Sequence, residues 1–381
     1  MEPFKNNFNP TMVAEMATHF QRAEPTFPVD AFIATATENF DQLELKQRSD
    51  QICAGLVQHM PSDFRQACEL MVKALHPGDE VELDLISNTM NADGIRGWGI
   101  MPMCEFVAAK GLNDFDFAME ILSKLTSRFS AEFAIRHFFV KDPKRAVEIS
   151  LDWCESPNHH IRRLASEGSR TRLPWGLRLT DFCDDPAPLL LILEKLKDDP
   201  EEYVRRSVAN NLNDIAKDHP DVVANIAKHW LVNASPNRIR MVKHACRTLI
   251  KQGHTATLEA LGYGAPKVDG VELSIETPTV VLGGKLEFTL SVTSASDETQ
   301  PLLIDFIVHH KKANGGTSPK VFKWKTLEIK AGQSLKLKKA HPMNPITTRV
   351  YYAGLHGLEI QINGQSFLKQ DFELELLKDD T

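Results

Sequence analysis

No two of the six cysteines, at positions 53, 68, 104, 154, 183 and 246, stand in CxxC spacing. That excludes a zinc ribbon or a dithiol redox motif and fits the scattered thiols of a reducing compartment. Long apolar runs are missing too; the longest, such as residues 189–193, fall far short of a bilayer span. The opening residues MEPFKNNFNP carry no basic-then-apolar signal pattern. A cytoplasmic protein with no membrane association is expected. His159-His160 has no cysteine or acid at ligand spacing, so no metal is expected. The glycine-rich stretch 93–99 follows no strand, which argues against a phosphate loop and for a hinge between helices. Net positive charge is absent: 44 Lys+Arg against 51 Asp+Glu give −7, a bulk figure that points away from nucleic acid.

What the chain does have is length and apolar content. Its 381 residues, 42% of them hydrophobic, suffice for two or three well-filled domains. Up to about residue 260 the pattern is helical; Phe115, Ala118, Met119 and Leu122 fall at i, i+3, i+4 and i+7. Beyond Leu261 a Gly-Tyr-Gly-Ala-Pro segment opens a linker, 262–270. Short alternating stretches follow at 271–276, 285–292, 302–308, 321–329, 334–339 and 349–352. That rhythm predicts an immunoglobulin-like β-sandwich over 271–381.

Within the helical half, 1–261, a repeat is visible. Pro157 leads into Ile161-Arg162-Arg163, Pro200 into Val204-Arg205-Arg206, and Pro236 into Ile239-Arg240-Met241, each preceded by a helical stretch. Two helices per period of roughly 40 residues is the pattern of a HEAT-like α-solenoid, which exposes a long concave surface.

The charge is unevenly spread. Between Ser156 and Thr180 five arginines (162, 163, 170, 172, 178) face Glu167 alone. Between 311 and 339 nine lysines face only Glu328. Two basic patches on an acidic body suit a polyanion; lysines on strand edges also serve simply to block aggregation. On the helix after Pro157, His160, Arg163, Glu167 and Arg170 share a face. On the next, Arg206, Asn210 and Asp214 do. Stacked repeats would line these up on one surface, the alternative being ordinary i,i+4 surface pairs. Trp175 sits in a basic loop, Arg170-Thr-Arg-Leu-Pro-Trp-Gly, where it either stacks on a sugar or cationic base or plugs the contact between repeats. Pro174 sets the turn, and Gly176 is expected to take the unusual dihedrals. Glu132 follows Ser130 at the start of a helix expected at 131–139.

The run NHHIRRLASEGSRTRLPWG, preceded by FAIRHFF and followed by VRRSVANNLNDIAK, resembles the AlkC branch of the AlkC/AlkD alkylation-repair glycosylases over roughly residues 115–250. Some members of that branch also carry a C-terminal Ig-like domain. The resemblance implies a monofunctional DNA N-glycosylase that needs no metal or cofactor. It implies excision of cationic alkylated bases, such as 3-methyladenine and 3-methylcytosine, from double-stranded DNA without base flipping, by a monomer. On that reading Glu132, Glu167, Trp175 and Asp214 are the expected catalytic residues, with Glu167 first and Asp152 in reserve. Arg163, Arg170, Arg172, Arg206, Asn210 and His160 are the expected DNA contacts. The alternative is a non-catalytic HEAT-repeat DNA-structure binder or protein scaffold.

Overall fold

The structure, a computed structural model, describes residues 3–78 and 90–376. It divides into two compact units, Met1–Asp218 and His219–Thr381.

The first unit is helical: α1 (Pro10–Ala23), α2 (Val29–Ala36), α3 (Leu45–His59), α4 (Phe64–Lys73), α5 (Ile100–Gly111), α6 (Phe115–Thr126), α7 (Ile135–Lys141), α8 (Pro143–Trp153), α9 (His159–Gly168), α10 (Thr180–Asp184), α11 (Ala187–Leu196) and α12 (Glu202–Ile215). Asn, Asp and Pro set several starts. Asn9 accepts from the Met12 amide and Asp142 from the Arg145 amide, each before a proline. Asn158 accepts from the His160 amide to open α9.

The first arginine of each Arg-Arg pair explains the repeat. Arg162 Nη1 donates to the Ser156 and Pro157 carbonyls, both at 3.0 Å. Arg205 Nη1 donates to the corresponding Asp199 and Pro200 carbonyls. Each guanidinium thus ties down the turn that precedes its own helix. Arg162 also reaches across to Asp199 through two hydrogen bonds of 2.6 and 3.0 Å, linking one repeat to the next.

The third expected copy falls in the second unit, as α13 (Pro220–Trp230) and α14 (Pro236–Ala245), followed by α15 (Arg247–Lys251) and α16 (Thr255–Ala260). The strands are β1 (Val268–Ile275), β2 (Thr279–Val281), β3 (Lys285–Ser294), β4 (Gln300–Lys311), β5 (Thr317–Ile329), β6 (Ser334–Pro342), β7 (Gly354–Ile362) and β8 (Gln365–Glu375). They form a three-stranded sheet, β1-β3-β6, and a five-stranded sheet, β2-β8-β7-β4-β5. The alternating residues Leu286, Phe288, Leu290 and Val292 of β3 meet Ile304, Phe306 and Val308 of β4 and Leu358 and Ile360 of β7 in one core.

Two local expectations differ. Residues 349–352 form no strand. Arg349 is tied to His310, 2.5 Å away, and Tyr351 packs edge-on against the same ring, so these contacts override a β-prone sequence. The helix expected at 131–139 starts only at Ile135, because Ser130 and Glu132 close a local turn instead: the Glu132 amide donates to Ser130 Oγ. Among the described residues no helix is long and apolar enough to cross a membrane.

Candidate functional site

A pocket of about 360 Å³ opens in the first unit. Its wall combines Glu132, Arg163, Glu167 and Arg170 with Phe129, Phe133, Pro174 and Trp175. The polar part is built from α9, the loop that follows it and the turn before α7, with α12 supporting it from behind through Asp214. Ser130 Oγ donates to Glu132 Oε2 at 2.7 Å, and Arg163 Nη1 donates both to that hydroxyl, at 3.0 Å, and to the same carboxylate. Arg163 Nη2 lies 3.6 Å from Glu167 Oε1, and Arg170 Nη1 is 2.6 Å from it. Arg170 continues to Asp214, its Nε donating to Oδ2 at 2.8 Å, while Lys217 Nζ holds Asp214 Oδ1 at 2.9 Å. Three carboxylates and two guanidiniums therefore form one chain of ion pairs, joined by charge-assisted hydrogen bonds at every link except the longer one between Arg163 and Glu167. Burial alone would raise the Glu167 carboxyl, but Arg163 and Arg170 outweigh it, and the group sits below its ordinary range. It is therefore ionised at neutral pH despite its burial.

The structure brings together Glu132, Arg163, Glu167, Arg170, Trp175 and, behind Arg170, Asp214. Trp175 is 70% exposed, so it does not plug a contact between repeats. Its loop differs from the expectation in one respect: the left-handed conformation lies on Trp175 itself, at φ 64°, and not on Gly176. The Gly176 amide donates to the Leu173 carbonyl at 3.1 Å, closing a tight turn with Trp175 at the position that favours glycine. A bulky residue held there stores on the order of 1–3 kcal/mol of strain, which is characteristic of functional loops.

Several expected DNA contacts are placed otherwise. His160 is buried, stacked on His159 and packed against Tyr203, because the lower end of its helix face is covered by α12. Arg163 and Arg170 are largely buried in ion pairs rather than presented to a phosphate, and the Arg163 guanidinium also lies 5.0 Å above the Tyr203 ring. Arg206 is exposed and paired with Glu202, whereas Asp214, about two turns further along α12, is buried, so the two stripes are not equivalent. Arg172 is bound through both nitrogens to Asp218. Asn210 is half-buried.

Other lining residues come from the N-terminal helices and their connections. Phe4, Leu45, Lys46, Trp98 and Met101 complete the pocket, and Trp98 packs edge-on against Phe4 and Phe8. Trp98 is delivered by the stretch read as a hinge: Gly97, at φ 68°, turns the chain and donates to the Arg128 carbonyl at 2.9 Å. On the far side of Trp175 a broader groove of about 970 Å³ holds Lys46, Asp50, Cys53, Glu105 and His137. Burial pushes the Glu105 carboxyl up to about 7, although Ser49 donates to it at 2.8 Å. Among the described residues no group of three or more His, Cys, Asp or Glu is arranged to hold a metal.

Known proteins resemble this chain over nearly its whole length. A family model described as the C-terminal Ig-like domain of uncharacterised protein YhaZ matches residues 269–376. The uncharacterized protein YhaZ of Bacillus subtilis is 32% identical over 376 residues, covering 98% of this chain and all of that one. The solved structure of Pseudomonas fluorescens alkylpurine DNA glycosylase AlkC, bound to DNA containing an abasic site analog, superposes with a TM-score of 0.85 at 31% identity. That match spans 98% of this chain and the whole of the other.

Proposed function

The chain belongs to the AlkC-type family that includes these two proteins, and from that premise we propose that it is a DNA glycosylase of alkylation repair, hydrolysing the N-glycosidic bond of cationic alkylated bases such as 3-methyladenine and 3-methylcytosine. The observation that carries the reading is the juxtaposition of an ionised, buried Glu167 with an exposed Trp175 on the wall of one pocket.

The chemistry follows from the substrate. An alkylated, positively charged base is already a good leaving group, so the enzyme need not protonate it. As the C1′–N bond lengthens, the electron pair leaves with the base, which departs neutral, and positive charge moves to the sugar as an oxocarbenium ion. A carboxylate fixed near C1′ stabilises that charge in a site where little water screens it. Water then adds to C1′ and its proton passes to the carboxylate or to solvent, leaving an abasic site.

Glu167 suits the charge-stabilising role, with Glu132 beside it on the wall. Asp214 orients Arg170 and so holds Glu167 in place. Because Arg163 and Arg170 are already engaged, each carboxylate is oriented before substrate arrives. The Trp175 face attracts both the cationic base and the developing sugar cation. Reaction through a wall of this kind fits a lesion that stays in the duplex instead of being flipped. DNA backbone contacts fall to the exposed Arg206, the half-buried Asn210 and the exposed lysines of the β-sandwich.

Incubation with DNA methylated at N3 of adenine and cytosine, followed by mass spectrometry of the free bases, tests the proposal. Release above the spontaneous rate supports it. DNA binding with no base released would make the chain a DNA-structure binder.

A further inference from the structure

Arg136, in α7, is 0% exposed. A buried arginine ordinarily faces a carboxylate. This one does not: its hydrogen bonds go to main-chain carbonyls. Nη1 donates to Gly168 O at 2.9 Å and to Arg170 O at 2.6 Å, and Nε donates to Leu177 O. Nη2 is buried with no hydrogen-bond partner. Burial and the neighbouring Arg170 push its pKa down to about 10.

The three acceptors are not scattered. Gly168 ends α9, where the last carbonyls lack helical partners and attract a cation. Arg170 lies on the outgoing leg of the loop, and Leu177 on its return leg. One guanidinium therefore clamps both legs of the segment that projects Trp175. Gly176 completes the fit, since a Cβ there would lie 3.2 Å from Arg136 Cδ and Nε and 3.1 Å from Leu173 Cδ2.

We propose that Arg136 is the positioning residue for Trp175, a planar clamp that holds the 169–177 loop closed so that the indole projects from the pocket rim in its left-handed backbone conformation. The clamp removes the cost of ordering the loop when DNA binds and keeps the ring in register with the carboxylates. A lysine replaces it only in part, because a point charge does not reproduce a fork that reaches carbonyls on both legs. This assignment to the reaction rests on the glycosylase reading.

The experiment labels the chain with 5-fluorotryptophan. It has five tryptophans, and Trp175→Phe assigns the relevant fluorine resonance. In Arg136→Met the Trp175 resonance shifts and broadens while those of Trp153, Trp230 and Trp324 stay in place. Gly176→Ala, which keeps the guanidinium but crowds it, moves the same resonance, and Arg136→Lys falls between wild type and Met. In single-turnover excision, Arg136→Met loses about 10–100-fold, as Trp175→Ala does. The double variant is no slower than the worse single one, because both remove the same function. An unmoved Trp175 resonance in Arg136→Met and Gly176→Ala, or losses that multiply in the double variant, would overturn the proposal. If Arg136→Met does not fold, Arg136→Lys and Gly176→Ala supply the measurement. A wild-type chain that releases no base would sink the glycosylase reading, while the fluorine spectra would still decide the clamp.

Discussion

Glu167 is held where a carboxylate is costly to bury, and Arg163 and Arg170, helped by the Ser207 hydroxyl, make that burial tolerable. Two consequences can be measured at this scale. Glu167→Gln preserves shape but removes the charge, so single-turnover excision should fall by about 100-fold or more with DNA affinity retained. Arg170→Ala removes the partner shared by Glu167 and Asp214 and should cost about 3–5 kcal/mol in unfolding free energy. A phosphate contact would instead lower affinity in a salt-dependent way without that loss of stability. The sequence made Glu167, Arg163 and Arg170 legible because their spacing of three and four is that of one helix face, although α9 ends at Gly168 and Arg170 opens the loop beyond it. It could not reveal that they turn inward on each other, since that depends on Glu132 and Asp214 arriving from other elements. Arg136 was visible only as one letter in FAIRHFF, because a contact with main-chain carbonyls leaves no pattern in side-chain types.

Among the elements, α9 depends on a close approach to α7. A Cβ on Gly168 would lie 2.5 Å from Ile135 Cγ2, so the helix can reach α7 only because this residue is bare. Gly168→Ala should lower stability by about 1–3 kcal/mol through overpacking, read as a fall in Tm. Strands β5 and β6 raise a different question. Lys323, Lys325, Lys336 and Lys338 are exposed and alternate with half-buried Trp324, Leu335 and Leu337, and each strand ends its own sheet. Such lysines protect an edge in any case. If they also meet DNA, changing all four to Glu should weaken binding and reduce the slope of log affinity against log salt by about one per lost contact. Unchanged affinity at moderate salt would leave them the protective role alone. Period-2 alternation made β3 and β6 readable, whereas β7 and β8 were passed over and the β-prone residues before β7 were captured by His310.

At the scale of the whole molecule, charge and pH matter together. The bulk −7 gave the wrong impression of the surroundings of the site, because part of the acidity is internal, in carboxylates paired with arginines. Another part is Glu105, whose carboxyl burial raises to about 7 from 4.5. Between those values the folded state binds more protons than the unfolded chain, so its contribution to stability is full below the lower value and is lost as pH rises through the higher one. The wild type should therefore lose about 3 kcal/mol relative to Glu105→Gln between pH 4.5 and 8, measured by denaturant unfolding across that range. A parallel pH dependence in both proteins would mean that Glu105 ionises normally. The first unit carries the whole proposed reaction centre, yet the relatives share the Ig-like domain as well as the helical repeats.

The proposed chemistry requires that the pocket recognise positive charge at the sugar. Affinity should be measured for two duplexes that differ at one nucleotide, one with a neutral tetrahydrofuran abasic analogue and one with a cationic azaribose carrying nitrogen at the anomeric position. The cationic duplex should bind more tightly by about 10-fold or more, a preference that disappears in Glu167→Gln. Equal affinity for both duplexes in the wild type, or an undiminished preference in the variant, would contradict that chemistry.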